Sequence, residues 1–139
     1  MVMIVLDTNV VSELMKAEPN ETFAAWLSSL SGIRIATTAV TLSEIEYGIR
    51  RLPDGTRRRD IAERFSVLIA AMSVLPLDTS AATFAGQFRA EREQMGLPVT
   101  ASDMMIAGIV KAADATLATR NTRDFEHLPI VCVNPWAAT

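Results

Sequence analysis

The run Met3-Ile-Val-Leu6 contains no polar position and stops abruptly at Asp7. A strand with one wet face alternates apolar and polar residues. One without alternation is buried on both faces, as in a parallel sheet held between helices. Parallel strands need long crossovers, most often helical, and the chain supplies them. A helix is expected from about Asn9 to Ala17, closed by Glu18-Pro19. A second, capped by Asn20, carries Phe23, Trp26, Leu27 and Leu30 at helical spacing and ends at Gly32. Ile33 to Thr37 reads as a strand, Leu42 to Leu52 as a helix, and Pro53-Asp54-Gly55 as a turn. Arg57 to Met72 forms a long helix with Ile61, Phe65, Leu68 and Ile69 on one face. Val74 to Leu77 is an edge strand, because Pro76 cannot donate to a central ladder. Helices over Ser80 to Met95 and Ala101 to Ala113 flank Gly96 and Pro98, and strands near Thr116–Thr119 and Ile130–Val133 complete the series. The order βααβααβααβ–β implies one α/β layered domain over residues 1–139, with a mostly parallel sheet.

Composition narrows the class. With 139 residues, 50% hydrophobic and 21% charged, the chain is neither disordered nor fibrous. One cysteine, Cys132, excludes a disulfide framework and a cysteine zinc cluster. No apolar stretch reaches the roughly eighteen residues of a membrane span. The apolar start lacks the basic lead-in of a signal peptide. The chain reads as soluble and cytoplasmic, with no membrane partner. Thirteen Lys plus Arg against sixteen Asp plus Glu give a net charge of −3, so a broad basic face is not expected. Eleven of the thirteen basic residues are arginine, and five fall between Arg50 and Arg59. Arginine suits bidentate contacts with phosphate or carboxylate. The mean hydropathy of +0.24 points to apolar surface buried against another chain.

In open parallel α/β sheets, ligands bind beyond the carboxyl ends of the strands. The reactive residues there are all carboxylates: Asp7 after the first strand, Glu44 after the second, Asp103 opening a late helix, and Asp124 after the Thr116–Thr119 strand. His127 is the only histidine, so no Ser/His/Asp triad exists. Asp7-Thr8-Asn9 stands where a glycine-rich phosphate loop would be. Singly, each acid has an ordinary explanation. Asp7 can cap the first helix. Glu44 fits a capping box, Thr41-Leu-Ser-Glu44. Asp103 complements a helix dipole in Thr100-Ala-Ser-Asp103. Asp124 can be a loop acid beside Arg123. Gathered at one sheet edge, however, the four would repel one another and resist ionisation. A hard divalent cation stabilises such a set, and oxygen ligands suit Mg²⁺ or Mn²⁺ better than zinc. The same ions serve phosphodiester hydrolysis.

Four segments also resemble a known family. They are Val5-Leu6-Asp7-Thr8-Asn9-Val10, Ser43-Glu44-Ile45-Glu46-Tyr47-Gly48, Ala101-Ser-Asp103-Met-Met-Ile106-Ala107, and Leu117-Ala-Thr119-Arg-Asn121-Thr-Arg-Asp124-Phe125. In that order they resemble the four motifs of PIN-domain ribonucleases, most closely the FitB-like branch of the VapC toxins of bacterial type II toxin–antitoxin systems. The resemblance runs from Val5 to about Pro135. It implies a PIN-like three-layer α/β/α fold and a Mg²⁺- or Mn²⁺-dependent endoribonuclease. It further implies a homodimer, inhibition by a cognate antitoxin in a heterotetramer or larger assembly, and DNA contact only through that antitoxin. By position, Asp7 and Asp103 match the main metal ligands and Glu44 the second-motif acid. Many relatives carry an acid where this chain has Asn121, and Asp124 is the substitute. Asn121 is then left to reach metal through water or to orient Asp7. Thr119 resembles the small hydroxyl residue placed near the first aspartate. Asn9 is a similar supporting candidate, although helix capping explains it equally well.

The remaining candidates are weaker. Arg50, Arg51, Arg57, Arg58 and Arg59 suit RNA phosphates or the acids of an antitoxin, or simply a solvated helix end. Tyr47, Ile49, Leu52 and Phe65 are read as core, His127 as a surface loop residue, Cys132 as buried and inert, and Trp136 as packing for the tail. A dehalogenase-type phosphatase wants a second acid where Asn9 stands. A PIN domain that binds without cutting is the other rival, supported by Asn121.

Overall fold

The computed structural model describes residues 2–137. Five strands form one sheet in the order β3-β2-β1-β4-β5, and every pairing among them is parallel. The strands are β1 (Met3–Leu6), β2 (Arg34–Thr38), β3 (Ser73–Leu75), β4 (Thr116–Ala118) and β5 (Val131–Val133). The apolar run is therefore the central strand. Its alternate residues face opposite cores. Ile4 and Leu6 join Val10, Phe23, Trp26, Ile45 and Phe65 on one side, and Val5 joins Phe88, Met104, Val110 and Leu117 on the other.

The first core lies under α1 (Thr8–Leu14), α2 (Glu21–Ser28), α3 (Ala39–Arg50) and α4 (Thr56–Ala70). The second lies under α5 (Thr79–Gln94) and α6 (Ala101–Ala112). Three layers result, as expected. Full burial of an aliphatic side chain is worth about 1.5–3 kcal/mol, so Val5 and Leu6, both wholly inaccessible, bolt β1 to both helical layers. Helices α5 and α6 pack closely because of Gly108. A Cβ there would run into the Ala81 carbonyl and the Ala85 amide.

Several sequence expectations are corrected. Helix α1 is two turns long and ends at Leu14, short of Ala17. Helix α3 begins at Ala39, not Leu42, because β2 runs straight into it. Its cap is Thr38, whose hydroxyl accepts the Thr41 amide at 3.0 Å. Thr41-Leu-Ser-Glu44 is thus no capping box, and Glu44 sits one turn into the helix. Pro76 lies just beyond edge strand β3. Tyr47 is 64% exposed, while Ile45 and Ile49 on the opposite face are buried. The Arg51 guanidinium covers the Tyr47 ring at 5.4 Å. Cys132 in β5 is half-buried, and burial pushes its thiol up to about 11. His127 is exposed, as expected.

Candidate functional site

The site forms where β1 and β4 end. The Asp7 amide donates to the Ala118 carbonyl at 3.0 Å, extending the ladder by one residue. The Asp7 side chain then caps α1: Oδ1 accepts the Thr8 amide at 2.7 Å. Its other oxygen, Oδ2, accepts the Thr119 hydroxyl at 2.7 Å. Only 5% of Asp7 is exposed. Burial pushes its carboxyl above the usual range, the two hydrogen bonds pull it back in part, and the charges of Glu44 and Asp124 push it up again.

Glu44 reaches the same place from α3. Its Oε1 accepts the Thr8 hydroxyl at 2.7 Å, so Thr8 steadies Asp7 through its amide and Glu44 through its side chain. Asp103 occupies the first turn of α6, where Thr100 caps the helix by accepting the Asp103 amide at 3.1 Å. Half-burial raises the Asp103 carboxyl. A bond with Thr100 opposes the shift, and Asp7, Asp124 and Glu44 add to it. Asp124 lies in a 3-10 turn (Thr122–Phe125) after β4. All four carboxylates line one cleft of about 470 Å³, together with a fifth, Glu13, and with Asn9, Asn121, Lys16, Arg120 and Trp136.

The supporting residues fall as follows. Thr119 touches the first aspartate directly, as its position suggested. The Asn121 side chain does not bond to Asp7; its backbone N–H donates to the Thr119 hydroxyl oxygen at 3.1 Å. It therefore helps to hold Thr119, which holds Asp7. Asn9 is not the helix cap. Its Oδ1 accepts the Arg120 amide at 3.3 Å and ties α1 to the segment after β4.

The arginine run lies elsewhere. None of Arg50, Arg51, Arg57, Arg58 or Arg59 lines the acidic cleft. Arg50 pairs with Glu46 at 2.8 Å and Arg58 with Asp54 at 2.5 Å, while Arg59 reaches the Thr56 hydroxyl at 3.4 Å. Arg57 borders a groove between α1 and α4 that also contains Ser12 and Lys16, two residues of the cleft.

Sequence reasoning missed a second group. The arginine in the cleft is Arg120, whose guanidinium sits over the Trp136 ring at 5.0 Å. Trp136 packs in turn against Phe23, with ring centroids 5.2 Å apart. Arg120 follows Thr119 directly, and its place just past a strand end was the available signal. Glu13 is only 4% exposed. It accepts the Asn20 amide at 2.8 Å and pairs with Lys16 at 2.8 Å, and these partners hold its carboxyl below the usual range. In the sequence, Glu13 and Lys16 look like an ordinary solvated pair.

The donor set decides which ion could fit. It is all hard oxygen, and two of its carboxylates resist ionisation, which a cation would relieve. Among the described residues, no three His, Cys, Asp or Glu side chains converge into a ready-made cage. The fit is therefore to a cation that keeps most of its waters and takes one or two protein carboxylates.

Comparison with known proteins agrees with this geometry. Residues 4–131 match the family model described as PIN domain. The chain is 36% identical over 137 residues to the toxin FitB of Neisseria gonorrhoeae, covering 96% of this chain and 99% of that one. It is 32% identical over 136 residues to the tRNA(fMet)-specific endonuclease VapC of Salmonella typhimurium, covering 98% and 99%. Among solved structures, FitAB bound to the IR36 DNA fragment superposes with a TM-score of 0.88 at 34% identity, covering 99% of this chain and 98% of that one.

Proposed function

The chain belongs to the PIN-domain family, and from that premise we propose that it is the toxin of a type II toxin–antitoxin pair. In this reading it is a Mg²⁺- or Mn²⁺-dependent endoribonuclease silenced by a cognate antitoxin. One observation carries the chemistry: Asp7, Glu44, Asp103 and Asp124 meet in one cleft, and Asp7 and Asp103 are held above their usual range. No helix of the described residues is long and apolar enough to cross a membrane. That fits a toxin acting on RNA in the cytoplasm.

Asp7 and Asp103 are the residues that would hold the cation, and Glu44 and Asp124 would hold its waters. A bound divalent cation supplies charge neutralisation at the phosphate and acidifies water. The remaining work belongs to the chain. Thr119 and the Thr8 amide fix both oxygens of Asp7 in one orientation. The Thr8 hydroxyl engages Oε1 of Glu44, leaving Oε2 to orient the attacking water and take its proton. Arg120, braced on Trp136, meets an RNA phosphate, and the indole offers a face on which a base can stack. Hydrolysis would leave 5′-phosphate and 3′-hydroxyl ends. The rival reading, binding without cutting, leaned on Asn121, and Asp124 in the same cleft supplies the missing acid.

The family resemblance implies a homodimer that forms a heterotetramer or larger complex with its antitoxin, and the solved FitAB complex with DNA supports a chain that meets DNA only through that partner. The arginines from Arg50 to Arg59, outside the cleft, are available to the antitoxin or to distant RNA phosphates. The test is cleavage of total cellular RNA by antitoxin-free protein with Mg²⁺, Mn²⁺ or EDTA, alongside Asp7→Asn and Asp103→Asn. Discrete fragments that vanish with EDTA and with either variant support the proposal. Cleavage that survives both variants overturns the site, and no cleavage by folded, cation-binding protein favours a binding module.

A further inference from the structure

Arg92, near the end of α5, is 2% exposed, yet among the described residues no carboxylate pairs with it. Its guanidinium meets only backbone carbonyls. Nε and Nη2 both donate to the Pro98 oxygen, at 3.2 and 3.0 Å, and Nη1 donates to the Glu126 oxygen at 2.7 Å. Its own carbonyl accepts the Leu97 amide at 3.0 Å.

A buried cation without a counter-charge is a poor way to gain stability, because an apolar side chain of similar volume often does as well or better. The location gives it another use. Pro98 precedes α6, whose first turn carries Asp103, and Glu126 directly follows the 3-10 turn that carries Asp124. Asp103 and Asp124 face the same cleft as like charges, so their spacing depends on how the two segments are held. Arg92 grips both segments from behind.

We propose that Arg92 is a positioning residue, a buried clamp that fixes the spacing of Asp103 and Asp124 by bonding the segments that carry them. The clamp rests on the nuclease reading for its purpose but not for its existence. It acts through those two acids and touches neither RNA nor cation. Two consequences separate it from a residue that merely supports the fold. Removing it weakens cation binding more than it lowers stability, and it reduces kcat while leaving KM nearly unchanged.

The experiment compares antitoxin-free wild type with Arg92→Met, Arg92→Lys and Arg92→Ala. Its readouts are thermal unfolding, Mn²⁺ titration without RNA, cleavage kinetics, and amide hydrogen exchange in EDTA. The expected result is a Met variant that unfolds near the wild-type temperature and binds Mn²⁺ at least about tenfold more weakly, a loss typical of supporting contacts around metal ligands. Millimolar guanidinium should restore Mn²⁺ binding to Arg92→Ala, and urea should not. If the Met and Ala variants fail to fold, Arg92→Lys, which keeps the charge but loses the fork, decides alone. Wild-type Mn²⁺ affinity in any folded variant overturns the proposal. In EDTA, segments 97–103 and 122–128 should exchange faster together in the variants. Unchanged exchange there also overturns the clamp. That readout needs neither cation nor RNA, so it stands even if the wild type proves inactive and the nuclease reading fails.

Discussion

Asp7 and Glu13 bracket the same short helix and are almost equally hidden, at 5% and 4% exposure, yet their carboxyls move in opposite directions. Glu13 is a settled charge. Lys16 and the Asn20 amide compensate it, and together they fasten the link from α1 to α2. Asp7 has hydrogen bonds of similar length and lines the same cleft, but burial outweighs those bonds and the charges acting on it are those of Glu44 and Asp124. Low exposure alone therefore does not set the direction: burial dominates at Asp7, with Glu44 and Asp124 adding to it, whereas the bonds from Lys16 and the Asn20 amide dominate at Glu13. One end of α1 is electrostatically finished, and the other is complete only when something positive arrives.

The largest effect expected from breaking this contrast is at Asp7. Asp7→Asn keeps a good helix cap, so the variant should fold normally while RNA cleavage falls to the level seen with EDTA. Unfolding curves beside gel-based cleavage assays check both halves. At the other end, Glu13→Ala leaves the Asn20 amide without its acceptor and should cost about 1–3 kcal/mol of stability. Per folded molecule, cleavage should survive; a catalytic defect larger than the folding defect would mean that Glu13, which lines the cleft, takes part in its chemistry. Thr119→Val, which removes the hydroxyl on Asp7, should reduce cation affinity or activity by about 10–100-fold, as supporting contacts usually do.

A pH series in EDTA sharpens the comparison. Asp7 and Asp103 are raised, so their contribution to stability is present below the ordinary carboxylate range and is lost as pH rises through their folded values. Glu13 is lowered, so its contribution is present above its unfolded value and is lost as pH falls through its folded value. Metal-free protein should therefore weaken at both ends of the acid-to-neutral range. Asp7→Asn should flatten the neutral side and Glu13→Gln the acid side. Loss of both trends in a single variant would contradict the assignment. The smallest effect belongs to the exposed pair Arg50–Glu46: Arg50→Ala should shift stability by less than about 1 kcal/mol and leave cleavage of short RNA unchanged.

The sequence was legible where position alone decides the outcome. An unbroken apolar run had to be a central strand, and an acid at its end had to fall at the sheet edge where the cleft forms. Asp103 could be placed because Thr100 stands at capping distance, and Thr119 because it follows β4. What stayed hidden depends on packing. Thr38, not Thr41, caps α3 because β2 enters the helix without a turn, which a local pattern cannot reveal. Tyr47 falls on the outer face by the phase of that helix. Arg92 and Glu13 look like ordinary surface charges, since backbone groups beyond their own helices, the Pro98 and Glu126 carbonyls and the Asn20 amide, are what they bond. For Arg92 one of them is 34 residues away. The clustered arginines drew notice by number, while the one in the cleft, Arg120, stands alone.

The most direct measurement is calorimetric titration of Mn²⁺ into metal-free wild type, Asp7→Asn and Glu13→Gln, with no RNA present. Binding by wild type and Glu13→Gln, and its loss in Asp7→Asn, is the predicted result. Equal binding by all three, or binding that fails with Glu13→Gln and survives Asp7→Asn, would contradict the claim that Asp7, at the end of β1, holds the cation in the acidic cleft.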